Sequence, residues 1–137
     1  MKPQRTPIGD RLSLARARIH RLTPQEAALA RANGALIVDT RDSEDRRAEG
    51  VIPDSFKVTR DTLEWRADPT SDLPHPVLSD FSRTLIVVCN DGYGSSLAAD
   101  SLRELGHVRA GDLIGGYRAW KAVGLPTVPL VEDLARD

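Results

Sequence analysis

Apolar residues in this chain fall into short runs separated by polar, glycine-bearing or proline-bearing segments. Ala35-Leu36-Ile37-Val38-Asp39 and Thr84-Leu85-Ile86-Val87-Val88 are continuous rather than alternating. Unbroken apolar runs of this length mark strands buried on both faces of a parallel sheet. Ser55-Phe56-Lys57-Val58 and Asp112-Leu113-Ile114 read as shorter strands. Helical spacing fills the intervals between them. Thr23-Pro24-Gln25-Glu26 opens a helix through a capping box, with proline at the first helical position, and Asn33-Gly34 ends it. Asp42 or Ser43 caps a short helix over 44–48, and 60–66 forms one or two helical turns. A helix starts at about Ser95, capped by Ser95 or Ser96, and stops at Gly106. Gly115-Gly116 opens a last helix carrying Tyr117, Trp120, Ala122 and Val123, and Gly124-Leu125-Pro126 ends it. Asp68 to Asp80, with Pro69, Pro74 and Pro76, is a surface loop. Strands alternating with helices predict an α/β fold: a mainly parallel sheet with helices on both faces.

Length and composition narrow the function classes. A chain of 137 residues, 40% hydrophobic and 28% charged, is expected to form one domain with a real core. A net charge of −1 offers no global attraction for nucleic acid or an anionic membrane. No apolar run is long enough to span a bilayer, and the first residues lack the apolar core of a signal peptide. A single cysteine excludes an internal disulfide and a multi-cysteine metal site, and it fits a reducing cytoplasm. No metal or cofactor is expected. Arginine outnumbers lysine, in keeping with a bacterial base composition. The first 21 residues carry Arg5, Arg11, Arg16, Arg18 and Arg21 and read as a basic arm, partly helical or flexible. Asp10 and two early prolines set this arm apart from a targeting presequence.

The chemistry concentrates at one place. Cys89 ends the central apolar run, and Asn90-Asp91-Gly92-Tyr93-Gly94-Ser95 follows as a short loop entering a helix. Ligands bind at this edge of open α/β sheets. Unpaired N–H groups at a helix start and a glycine-bearing loop favour an anion, and a thiolate is the nucleophilic form of cysteine. The competing reading is a small core residue closing a strand. His20, His75 and His107 each read as solvated surface residues rather than as a base for the thiol. A phosphatase-type loop needs an arginine six positions after the cysteine, where Ser95 stands. A thioredoxin-like reductase needs a second cysteine, which the chain lacks.

Four segments together resemble the rhodanese family of single-domain sulfurtransferases. They are Leu36-Ile37-Val38-Asp39-Thr40-Arg41, Gly50-Val51-Ile52-Pro53, Cys89 to Ser95, and Gly115-Gly116-Tyr117-Arg118-Ala119-Trp120 with Gly124-Leu125-Pro126. The Glu64-Trp65-Arg66 segment is similar to an actinobacterial branch of that family. The resemblance implies a rhodanese-like α/β fold of about five mainly parallel strands over residues 22–130, with 131–137 a C-terminal tail. It also implies transfer of sulfane sulfur from thiosulfate or a related small donor to a thiol or protein acceptor. In that chemistry Cys89 is the nucleophile and carries a persulfide, and the amides of residues 90 to 95 hold its charge. Asp39 and Arg41 would tie strand ends to neighbouring loops.

The departures from the family pattern define the open questions. Val51 replaces a histidine, and Asp54-Ser55 replaces a glycine-alanine pair in a structural turn. Asn90 and Gly94 stand where many members carry a cation, so Asp91 is the only charge in the loop. A carboxylate about 7 Å from a thiolate costs it about 1–2 kcal/mol at an effective dielectric of about 20–40. One or both of Arg60 and Arg66 are candidates for a compensating cation at the pocket, against the competing reading of a solvated helical turn in which Arg60 or Arg66 pairs with Glu64. Tyr93 is expected at an exposed loop tip, and Tyr117 and Trp120 in the core. A second function class also fits: a sulfur-carrier, redox-sensing or protein-binding module with little turnover on thiosulfate.

Overall fold

The computed structural model describes residues 4–131. In chain order the elements are α1 (Ile8–Arg18), β1 (His20–Leu22), α2 (Pro24–Ala32), β2 (Leu36–Asp39), α3 (Ser43–Glu49), β3 (Phe56–Lys57), α4 (Leu63–Ala67), β4 (Leu85–Val88), α5 (Gly94–Leu105), β5 (Gly111–Leu113) and α6 (Gly116–Ala122). The five strands form one sheet in the order β1-β5-β4-β2-β3, and every pairing is parallel.

The unbroken apolar runs lie at the centre, as two-sided burial requires. In β4, Leu85 and Val87 face a layer with Val38, Leu63, Leu78, Ala98, Ala99 and Leu102. The alternate residues Ile86 and Val88 face the opposite layer with Ile37, Ile52, Ala27, Tyr117 and Trp120. Helices α4 and α5 thus cover one face, and α2 and α6 the other. Each of these large aliphatic side chains contributes about 1.5–3 kcal/mol by leaving water.

The capping signals of α2 and α3 operate as read. The Thr23 hydroxyl accepts from Glu26 N at 3.1 Å, and the Glu26 carboxylate accepts from Thr23 N at 2.9 Å. Asp42, not Ser43, caps α3 by accepting from Asp45 N at 2.9 Å. Helix α5 ends at Gly106, whose φ of +124° favours glycine. Arg41 forks onto Asp39 at 2.9 and 3.1 Å and also donates to Gly50 O at 2.8 Å. It ties the end of β2 to the turn after α3.

Three features differ from the sequence reading. The basic segment forms α1, which packs on α5, and beyond an arm its end enters the sheet as the edge strand β1. A strand of three residues, two of them polar, carries no apolar periodicity, and its pairing with β5 is purely tertiary. His107 is buried rather than solvated: Nε2 lies 2.8 Å from Ala67 O, and the ring meets Phe81 edge-on. Ser95 and Ser96 do not cap α5, which starts one residue earlier at Gly94. Residues 132–137, most of the expected C-terminal tail, lie outside the described residues.

Candidate active site

Cys89 follows β4 directly and is half-buried at the carboxyl edge of the sheet. Its Sγ accepts hydrogen bonds from Gly92 N at 3.2 Å and Ser95 N at 3.3 Å. The first donor lies in the loop and the second in the opening turn of α5, so the sulfur sits where loop amides and a helix start converge. Gly92 has φ +86°, and a Cβ there would lie 2.8 Å from Gly115 N. Only glycine fits at that approach. Gly94 has open space around it and no such demand.

Helix α6 fastens the loop from the other side. Tyr117 N donates to Cys89 O at 2.8 Å, and Arg118 N to Asn90 O at 3.1 Å. Gly116, at φ +68°, allows this approach, since a Cβ would come 2.5 Å from Asn90 O. Asn90 Nδ2 donates to Asp45 of α3 at 2.9 Å. Asn90 is therefore an anchor between the loop and α3. Tyr93 is 63% exposed at the loop tip, and Tyr117 and Trp120 are buried.

Asp91 does not stand as an isolated charge. Arg118 Nη1 donates to its carboxylate at 2.9 Å, while Nε and Nη2 fork onto Glu49 at 3.1 and 2.8 Å. The hydrogen bond from Arg118 holds the Glu49 carboxyl below its ordinary value, and Glu49 and Asp91 push the Arg118 guanidinium up in turn. Arg118 is thus a cation at the loop that sequence reasoning passed over, because nothing local links position 118 to position 91.

Arg60 and Arg66 are committed elsewhere. Arg60 Nη1 donates to both Glu64 carboxylate oxygens at 2.8 and 2.9 Å, and Arg66 Nη1 donates to Leu73 O at 3.1 Å. The structure brings neither into hydrogen-bond contact with the loop. Burial alone would raise the Glu64 carboxyl, but hydrogen bonds from the Ser101 hydroxyl, its own backbone and Arg60 hold it below its ordinary value.

Beneath the loop lies a polar cluster built from three distant segments. Asp112, in the middle of β5, is fully buried. Its Oδ2 accepts from the hydroxyls of Ser95 at 2.8 Å and Ser96 at 2.7 Å. Arg21 of β1 forks onto the same carboxylate at 2.9 and 3.2 Å and donates to Gly92 O at 3.0 Å. Arg16 of α1 donates to Gly92 O at 2.8 Å and to the Ser96 hydroxyl at 3.1 Å. The serines are drawn from capping to the buried carboxylate, where an unpaired charge would be far more costly than an uncapped helix end. One sequence signal for this cluster exists: an aspartate at the head of an apolar strand, with no local partner. Among the described residues, no group of three His, Cys, Asp or Glu side chains is placed to hold a metal ion, and no helix is long and apolar enough to cross a membrane.

These features agree with comparisons to known proteins. Over 103 residues the chain is 31% identical to the thiosulfate sulfurtransferase GlpE of Pseudomonas aeruginosa, covering 75% of this chain and 84% of that one. A solved Rhodopseudomonas palustris protein of unknown function, described as a possible tyrosine phosphatase, superposes with a TM-score of 0.84 at 32% identity, covering 93% of this chain and 100% of that one. The polysulfide-sulfur transferase of Wolinella succinogenes superposes with a TM-score of 0.66 at 25% identity, covering 86% and 84% of the two chains. The family model for the rhodanese-like domain matches residues 23–123, from the cap of α2 to the end of α6. With its parallel five-stranded sheet and a cysteine cradled at the carboxyl edge of the central strand, the chain belongs to the rhodanese-like domain family.

Proposed function

We propose that the protein is a sulfurtransferase that moves sulfane sulfur from thiosulfate, or a related small donor, to a thiol acceptor through a persulfide on Cys89. The observation that carries this reading is the pair of N–H groups, Gly92 and Ser95, directed at Sγ. In the first half-reaction the Cys89 thiolate attacks the outer sulfur of thiosulfate. A new S–S bond forms, the bond to the sulfonate sulfur breaks, and sulfite leaves with that electron pair. The loop amides that meet Sγ lie ready to stabilise the persulfide anion. In the second half-reaction an acceptor thiolate attacks the terminal sulfur and leaves as a persulfide, and Cys89 departs as thiolate. Neither step requires a proton relay, a metal or a cofactor, which fits a site without a histidine bonded to the sulfur.

The pairing of Asp91 with Arg118 supports use of an anionic donor, because it offsets the only charge of the loop. Phosphate-ester chemistry is less well served. Ser95 stands where a phosphatase loop carries its clamping arginine, and its hydroxyl is committed to Asp112. A cytoplasmic setting fits the free thiol, and membership of an actinobacterial branch rests on Glu64-Trp65-Arg66 alone. The test is intact mass after incubation with thiosulfate and desalting. The expected result is the mass of one added sulfur atom, removed by cyanide and absent in Cys89→Ala. No added sulfur on a thiol that still alkylates readily at neutral pH would overturn thiosulfate as donor and point to a carrier loaded by a protein partner.

A further inference from the structure

The cation that the loop itself lacks comes from the segment ahead of the matched family residues. Arg16 and Arg21 lie in α1 and β1, outside residues 23–123. Both guanidinium groups donate to one acceptor, the carbonyl oxygen of Gly92, at 2.8 and 3.0 Å. The N–H of that same residue is one of the two donors to Cys89 Sγ. A carbonyl oxygen has two lone pairs, and here both meet charged donors, whose bonds are about twice as strong as neutral ones. The carbonyl lies in the peptide plane that follows the Gly92 Cα and the N–H in the plane before it, so the two charge-assisted bonds hold one side of the flexible glycine whose other side presents its N–H to the sulfur. The second donor to the sulfur, Ser95 N, is fixed by the same cluster, because the Ser95 hydroxyl is bound to Asp112 and Asp112 to Arg21. Two guanidinium charges against one carboxylate leave a net positive charge under the loop. Standard peptide dimensions place the Arg16 guanidinium within about 10 Å of the sulfur.

We propose that Arg16 and Arg21 are positioning residues that clamp the Gly92 carbonyl, aim the Gly92 and Ser95 amides at Cys89, and supply the positive field that draws an anionic sulfur donor to the thiol. The fork geometry accounts for arginine at position 16. Nη2 meets Gly92 O while Nε meets the Ser96 hydroxyl, and the guanidinium lies 5.5 Å from the Tyr93 ring centroid. A lysine can keep the charge but not both bonds. The proposal rests on Cys89 being the reactive group of the sulfur-transfer reading.

Arg16 is the better probe, since it is half-buried and pairs with no buried carboxylate, whereas loss of Arg21 would strand Asp112. The experiment compares alkylation of Cys89 by iodoacetate, which is anionic, with alkylation by iodoacetamide, which is neutral, in the full chain at one pH. The ratio of the two rates cancels the thiolate fraction and reads the local field. Arg16→Ala is expected to lower this ratio about threefold to fivefold at low ionic strength. Arg16→Lys is expected to recover most of the loss, and the difference from the parent protein should fade as salt screens it. A purely structural role moves both rates together and leaves the ratio unchanged. An unchanged ratio in folded Arg16→Ala, or in Arg16→Gln should the alanine variant not fold, overturns the proposal. The alkylation ratio needs no sulfur donor. A parent protein that takes no sulfur from thiosulfate would therefore overturn thiosulfate as donor, while the ratio still decides whether Arg16 supplies the field.

Discussion

At the scale of single residues, the site is decided by what Asp91 is allowed to be. Left alone, its carboxylate would repel both a thiolate and a dianionic donor. Arg118 pairs with it from α6 while also holding Glu49, so one exposed guanidinium is shared between two acids at the mouth of the site. The pair is open to solvent and adds little to stability, yet its field acts on every donor that enters. Arg118→Ala is expected to slow sulfur loading from thiosulfate by about threefold to tenfold, since it unmasks the Asp91 carboxylate beside the thiol. Asp91→Asn alone is expected to load at least as fast as the parent. The double variant Asp91→Asn/Arg118→Ala should recover most of the lost rate, leaving the residual effect of Glu49. A mass-resolved time course of persulfide formation measures all three. Equal loss in the single and double variants would show that Arg118 acts through the backbone of α6 and not through Asp91.

At the scale of elements, the loop is a joint between β4, α5 and α6, and glycines are distributed by how closely backbones meet there. Gly116→Ala forces a Cβ against Asn90 O at a left-handed φ. It is expected to cost about 2–4 kcal/mol of stability and to reduce sulfur loading, because α6 would lift from the Cys89 and Asn90 carbonyls. Gly94→Ala meets nothing and starts a helix, so it should be neutral or stabilising by up to about 0.5 kcal/mol. Urea midpoints of the two variants measure the contrast. The same joint shows what a sequence can disclose. The runs at Leu36 and Leu85, the Thr23 capping box and the cysteine before a glycine-bearing turn are local signals, and the strands, helix and loop they mark lie where they were read. The edge strand at His20–Leu22 had no such signal, since its residues become a strand only by pairing with β5. Ser95 and Ser96 carried a signal for the wrong partner, because a hydroxyl that suits a helix cap also suits a buried carboxylate 16 or 17 residues away. Arg16 and Arg21 lie 76 and 71 residues from Gly92, and no local pattern joins them to it.

At the scale of the whole molecule, these long-range ties decide where the folding unit begins. The matched family residues start at Thr23, one residue after β1. A chain cut there would lose α1 from the face of α5 and β1 from the sheet. Strand β5, whose Gly111, Asp112 and Leu113 are all buried, would then become a bare edge. Ile114 N would lose Leu22 O, its acceptor at 2.8 Å. Gly111 is shaped for the missing strand, since any Cβ there would collide with the His20 carbonyl. The largest single loss is electrostatic. Asp112 has no exposure and would keep only two serine hydroxyls once Arg21 was gone. Removing one partner of a buried ion pair costs about 3–5 kcal/mol, a large part of the 5–15 kcal/mol that holds a typical domain together. A chain of residues 23–137 is therefore expected to show a urea midpoint far below that of the full chain, or no cooperative transition, and to bind an apolar dye. Asp112→Asn in the shortened chain removes the stranded charge while keeping the shape, and it should restore part of the midpoint although the edge stays bare. A shortened chain that unfolds cooperatively at the midpoint of the full protein would make α1 and β1 an appendage. Recovery through Asp112→Asn would instead show that the first strand is retained chiefly to pair a buried charge beneath the cysteine loop.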